Sequence, residues 1–278
     1  MDLIDTHQHL ILRNRLGYAW ADSIPALAAS DFTPQDYATL TRGRGIVGTV
    51  FMETGVDDAD YQAEARHVAG LVDTGGLLGQ IAACRPETDE GFDAWLEECD
   101  GLDVVGFRRI LHVVDDGLSK TEGFRRNLRK IGKRGLPFDL CVLARQHAIA
   151  EDLIRSCPDQ VLVLDHCGNP DIAAGAFAPW AESLARLAQF PNLYVKLSGI
   201  TANCVPGTVS VGLLQPYVDH VIACFGPERV IWGSDWPVVA INASLPQWID
   251  MTRTMLAQLT DDERHRIGTA NACDVYGL

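Results

Sequence analysis

No C-x-x-C pair occurs among the eight cysteines, no apolar run approaches the roughly 20 residues of a membrane span, and basic residues are scarce. Each absence excludes something. Cysteines Cys84, Cys99, Cys141, Cys157, Cys167, Cys204, Cys224 and Cys273 mostly sit inside apolar runs, so they read as reduced, buried small hydrophobes rather than a disulfide frame or a thiolate zinc knot. With 23 Lys and Arg against 37 Asp and Glu, a formal net charge of −14, there is no basic patch or tail to neutralise phosphates. Nucleic acid and anionic membrane are therefore not expected partners. The first apolar run begins at residue 3, which leaves no room for a cleavable signal, and a cytoplasmic location is the expectation. No Gly-x-Gly-x-x-Gly loop follows that run to cradle a dinucleotide.

What is present is a core-forming composition, 47% hydrophobic over 278 residues, arranged as short apolar runs alternating with stretches of helical period. The runs expected to be strands are Leu3–Asp5, Ile46–Glu53, Leu77–Ala83, Val104–Arg108, Pro137–Val142, Val161–Asp165, Leu193–Leu197 and Val230–Gly233. Amphipathic stretches lie between them, with Thr33-Pro34 and Ser244 as helix starts and Gly135 and Gly226 as helix stops. Strand-then-helix repeated in this way predicts a parallel sheet covered on both faces. The economical architecture is a single α/β domain over 1–278, a (β/α)8 TIM barrel; an open doubly wound sheet is the alternative.

In such a barrel, residues at the carboxyl ends of the strands share one rim. That rim would hold His7 and His9, Glu53, Arg108-Arg109, Asp165-His166, Ser198 and Asp235. His7 and His9, spaced i, i+2, would project to one side of a strand and could hold a divalent ion or polarise a carbonyl. Two surface histidines at a strand end is the bland alternative. Ionisable groups from several strands would be costly at a partly desolvated mouth without a function. The connections Leu10–Thr33 and Gly199–Gly212 fall on the same face, and Trp20 in the first is a candidate pocket wall. Asp139 and Lys196 should point into the barrel, Asp139 either towards substrate or as half of a structural ion pair. Trp236 either stacks on a substrate ring or fills the barrel top. His112 lies near the rim and His147 in the helix after strand 5; neither is a first choice as a ligand.

Four stretches carry a family resemblance: Asp5-Thr6-His7-Gln8-His9, Leu164-Asp165-His166-Cys167-Gly168-Asn169-Pro170, Val195-Lys196-Leu197-Ser198-Gly199 and Trp232-Gly233-Ser234-Asp235-Trp236-Pro237. Together they resemble the amidohydrolase superfamily, in the branch of sugar-acid and dicarboxylate lactonases that includes L-fuconolactonase and 2-pyrone-4,6-dicarboxylate lactonase. Gly106-Phe107-Arg108-Arg109 and Phe138-Asp139-Leu140 match that branch's strands 4 and 5, with Arg109 where a His is common. Binuclear amidohydrolases place a lysine or glutamate on strand 4 and a histidine on strand 5; Arg108-Arg109 and Asp139 stand here, so a bridged metal pair is not expected. His7, His9, His166 and Asp235, joined by Glu53, could bind one ion at most, Zn²⁺ first among candidates, or work without a metal.

The resemblance implies lactone hydrolysis of an aldonolactone such as L-fuconolactone, galactonolactone or rhamnonolactone. Asp235 would act as general base and then acid, His7, His9 and His166 would polarise the carbonyl, and Arg108 and Arg109 would bind substrate hydroxyls or carboxylate. A lactone isomerase or decarboxylase on the same scaffold is the alternative. The sugar and the oligomeric state are not written in the sequence.

Overall fold

The structure is a computed structural model that describes residues 1–28, 30–74 and 76–278. Eight strands, β1 (Leu3–Gln8), β2 (Ile46–Met52), β3 (Leu77–Ala83), β4 (Val104–Ile110), β5 (Phe138–Cys141), β6 (Leu162–Leu164), β7 (Leu193–Leu197) and β8 (Val230–Trp232), pair in chain order. Every pairing is parallel. Each strand is followed by a helix: α1 (Pro34–Thr41), α2 (Tyr61–Ala69), α3 (Phe92–Cys99), α4 (Glu122–Lys133), α5 (His147–Ser156), α6 (Phe177–Leu187), α7 (Val211–Phe225) and α8 (Leu245–Met255). This is a (β/α)8 barrel, as the alternating pattern predicts.

The ring closes just beyond β8 rather than along it. Asp235 N donates to the His7 carbonyl at 2.9 Å and His9 N to the Trp236 carbonyl at 2.7 Å. The closure thus splices the two histidines of β1 directly beside Asp235. Strand 1 runs three residues further than expected, through Gln8, because that stretch finds partners on both sides: β2 and the segment after β8.

Strand periodicity divides the apolar residues into two layers. Ile4, Val50, Met52, Ile81, Val163 and Ile231 point into the barrel, while Leu3, Phe51, Phe107, Phe138, Leu162, Leu164 and Trp232 pack outward on the helices. The helix starts at Thr33 and Ser244 carry reciprocal capping boxes with Asp36 and Gln247, and Gly135 and Gly226 stand at φ of 74 and 67 after their helices. No element is predicted for the chain after Leu259. It forms a helical segment, Asp261–His265, a π turn Arg266–Ala270 and Asn271–Tyr276, whose Ala272 and Tyr276 pack on the inner layer.

On this plug stands a column of buried charge. Tyr276 Oη donates to Asp139 Oδ1 at 2.9 Å, Lys196 donates to Asp139 Oδ2 and to the Thr6 carbonyl, and Lys196 Nζ lies 3.5 Å from Asp165 Oδ1. Asp139 and Lys196 are both fully buried, and the inward register expected for them holds. Burial raises the Asp139 carboxyl to about 7 against the pull of Lys196. Removing one partner strands the others in a low-dielectric interior, which typically costs about 3–5 kcal/mol. Lys196→Met should therefore lower unfolding free energy by that order in urea titration, and adding Asp139→Asn should recover part of it. A loss below about 1 kcal/mol would show that the column contributes little to stability.

Candidate active site

At the carboxyl face the column opens into a cavity of about 420 Å³. Its floor holds His9, Glu53, Arg108, His166 and Asp235; its walls include Trp20, Arg85, Arg109, His112, Asn169 and Asn203. His7 lies beneath, fully buried, with its ring 4.8 Å from that of His9 and 4.5 Å from that of His166. The structure thus brings together His7, His9, His166, Glu53, Arg108 and Asp235 from five strand ends, and Arg109 and Trp20 onto the walls.

Partners fix the tautomers. His9 Nδ1 lies 2.9 Å from the Met52 carbonyl, which only accepts, so the proton is on Nδ1 and the Nε2 lone pair faces Asp235 Oδ1 at 3.3 Å. His7 Nε2 lies 3.2 Å from Arg108 Nη1, which only donates, so its lone pair is also on Nε2, with Nδ1 3.4 Å from Asp165 Oδ1. Burial holds His7 well below the ordinary imidazole range, hence neutral. His7 Nε2 is 3.8 Å from the same Asp235 oxygen. His9 Nε2, His7 Nε2 and one carboxylate oxygen therefore lie close together, a donor set that fits one divalent cation once His7 Nε2 is released from the Arg108 N–H. For ligand bonds of about 2.0–2.2 Å in tetrahedral geometry, donor atoms stand about 3.4 Å apart, close to the His9–Asp235 separation.

A second donor group, His7, Asp165 and His166, is already neutralised. Arg108 Nη1 lies 3.3 Å from Asp165 Oδ2, and the Lys196 ammonium faces Oδ1. Burial alone would raise the Asp165 carboxyl, but His7 and Lys196 pull it well below the ordinary range. Arg108 itself is committed: Nε donates to Glu53 Oε1 at 2.6 Å and Nη2 to the Glu53 carbonyl. Expected as a substrate ligand or as half of an ion pair with an acidic neighbour, it is paired with Glu53 and 3% exposed while lining the cavity floor. Arg109 is paired with Glu87 at 2.7 Å but remains on the cavity wall.

For two further residues the geometry matches the structural one of the two readings offered. Trp236 does not reach the cavity; it packs edge-on against Phe32 and Tyr37, because the backbone bonds that close the barrel turn it outward. Asp139 lies below the floor, consumed by Lys196 and Tyr276.

Several other residues shape the site. Asp5 Oδ1 accepts from His7 N and Ser234 N, and Oδ2 from Tyr37, which pins β1 to the Asp235 loop. Ser198 Oγ lies 3.0 Å from His166 Nδ1, and Gly199 must lack a side chain because a Cβ there would stand 2.2 Å from the same nitrogen. Glu64, buried on α2, accepts from Thr54 N at 3.1 Å. Burial and the neighbouring Glu53 carboxylate push its carboxyl up to about 8. His166 sits at φ 55 and Asp235 at φ 56, a left-handed backbone costing on the order of 1–2 kcal/mol per residue.

Comparison with known proteins identifies the family. The model of the Amidohydrolase family matches residues 4–278. An L-fucono-1,5-lactonase of Burkholderia ambifaria is 28% identical over 285 residues, covering 99% of this chain and 95% of the relative. A D-galactarolactone isomerase of Agrobacterium fabrum is 23% identical over 290 residues, covering 99% and 91%. An amidohydrolase of Burkholderia multivorans, solved with bound zinc, superimposes with a TM-score of 0.90 at 23% identity over the whole of both chains.

The Glu64 carboxyl supplies a test of the buried electrostatics. Its pKa rises from 4.5 to about 8 on folding, so the folded chain binds the extra proton and stability falls as pH rises through that window. Glu64→Gln should flatten the decline in unfolding free energy between pH 5 and 8 by up to about 1.4 kcal/mol per pH unit. Asp139 adds a slope of the same sign that the variant retains, and an unchanged slope would place the Glu64 carboxyl outside the buried set.

Proposed function

The chain belongs to the amidohydrolase family, and from that premise we propose that it hydrolyses the ring ester of a sugar-acid lactone. The observation that carries this reading is the convergence of the His7 and His9 lone pairs on the Asp235 carboxylate at the cavity floor. His7 Nε2, His9 Nε2 and Asp235 Oδ1 would hold one divalent ion, with Zn²⁺ first among candidates given these nitrogen and oxygen donors. When bound, such an ion supplies Lewis-acid polarisation of the lactone carbonyl.

The side chains then divide the reaction. Asp235 uses Oδ1 towards the imidazoles, and its second oxygen, without a protein donor among the described residues, takes a proton from the attacking water. The water oxygen bonds to the carbonyl carbon, the ring carbon–oxygen bond breaks, and the same carboxyl returns the proton to the departing alkoxide. His166, held through Ser198, faces the carbonyl oxygen, where a preorganised donor is typically worth about 3–4 kcal/mol.

The walls favour a neutral, hydroxylated ring over a dicarboxylate. Each guanidinium lining the cavity carries a carboxylate: Arg85 on Asp58, Arg108 on Glu53, Arg109 on Glu87. Asn203, beyond its contact with Asn169 Oδ1, offers its remaining amide atoms to hydroxyl groups, while Val56, Ile110 and Val238 offer apolar wall to carbon. An aldonolactone of the fuconolactone, rhamnonolactone or galactonolactone kind meets both demands.

A panel of aldonolactones read by proton release should show turnover, with ¹⁸O from labelled water in the acid product. A rearranged, unlabelled lactone would favour an isomerase, the activity named for the Agrobacterium relative. Asp235→Asn should reduce kcat by at least about 100-fold, in the range of a lost general base, with the circular dichroism spectrum unchanged. Near-normal turnover in that variant would remove Asp235 from the proton path. Dialysis against a chelator should abolish activity and zinc should restore it; full activity in metal-free protein would remove the ion from this reading.

A further inference from the structure

The segment that carries His166 is a run of four residues, His166, Cys167, Gly168 and Asn169, with φ of 55, 55, 71 and 49. A left-handed run belongs to no regular ladder, so its carbonyls must find partners one by one. The His166 carbonyl accepts locally, from Asn169 N at 2.8 Å. The next two reach outside: the Cys167 carbonyl accepts from Trp180 Nε1 at 2.8 Å, and the Gly168 carbonyl lies 2.8 Å from His147 Nε2.

His147 opens α5 and Trp180 lies in α6, and both are buried without lining the cavity. A carbonyl only accepts, so His147 carries its proton on Nε2, while Nδ1 lies 2.7 Å from Ser183 Oγ. Burial keeps the ring neutral. The contact is close: a Cβ at Gly168 would stand 2.7 Å from His147 Nε2. Ordinary core packing would ask only for a flat ring here, whereas both donors land on successive carbonyls of the turn.

We infer that His147 and Trp180 are positioning residues that clamp the left-handed turn and so aim the His166 imidazole into the cavity. The inference rests on the reading of His166 as the group facing the lactone carbonyl. Displacing such a group by about 1 Å can cost on the order of 100-fold in rate without touching the chemistry.

The test compares His147→Leu, which keeps bulk and loses the donor, with His147→Gln, whose side-chain amide restores an N–H at the position of Nε2. On an aldonolactone turned over by the native enzyme, the Leu variant should lose about 10–100-fold in kcat with KM within about threefold. The Gln variant should recover most of it at a melting temperature matched to the Leu variant, and Trp180→Phe should lower kcat in the same way. Native kcat in the Leu variant, or a Gln variant no better than Leu, would overturn the inference. The ¹⁵N shifts of the His166 ring are the second readout, independent of turnover. They should move in the Leu variant and not in the Gln variant, and shifts unmoved in both would overturn the clamp. Should the native enzyme open no lactone, the proposed activity fails while these shifts still decide the clamp.

Discussion

The Asp165 carboxylate, buried on the barrel axis between Lys196 and Arg108, is the constraint on which the rest of the site depends. As a fixed anion it draws the His7 proton to Nδ1, and this leaves the Nε2 lone pair facing Arg108 Nη1 at 3.2 Å, with Asp235 Oδ1 at 3.8 Å. It can remain ionised only because two cations flank it, and those cations are held in turn by Asp139 and Glu53. Stability and tautomer are thus set by the same few atoms. A change at Tyr276, near the end of the chain, is connected to His7 through Asp139, Lys196 and Asp165 without any conformational change being required.

This explains why some of the site was legible in sequence and some was not. His7, His9, Glu53, Arg108, His166 and Asp235 each stand at the carboxyl end of an apolar run, and a parallel barrel gathers such ends whatever their spacing in the chain. Which residues would be partners was not legible. Arg108 reads as a hand for substrate, and only the side-chain distance of 2.6 Å shows that Glu53 holds it. Trp236 follows Asp235 directly, but strand alternation lapses after Trp232, so its outward turn could not be counted from register. Asp139 and Lys196 were legible as inward because β5 and β7 keep strict alternation.

The residues overlooked share a different feature: they act through the backbone. Asp5 binds two main-chain N–H groups, Glu64 binds Thr54 N, and His147 and Trp180 meet carbonyls of the His166 turn. Nothing in composition or period marks a side chain whose partner is a peptide group. The signal that was available is the left-handed run itself. In Asp165-His166-Cys167-Gly168-Asn169, a glycine and an asparagine adjoin after a buried strand, the two residue types that tolerate positive φ most easily.

Asp235 differs from every other carboxylate at the floor in having no fixed cation opposite it. Glu53 and Asp165 share Arg108, and Asp139 has Lys196, whereas Asp235 faces imidazole nitrogens whose protons are drawn away by Met52 and Asp165. A 3% exposed carboxylate in that position is poorly solvated as an anion. The ion pairs that fill the lower barrel with cations thus neutralise Glu53, Asp165 and Asp139 and, among the described residues, leave the Asp235 carboxylate facing imidazoles alone.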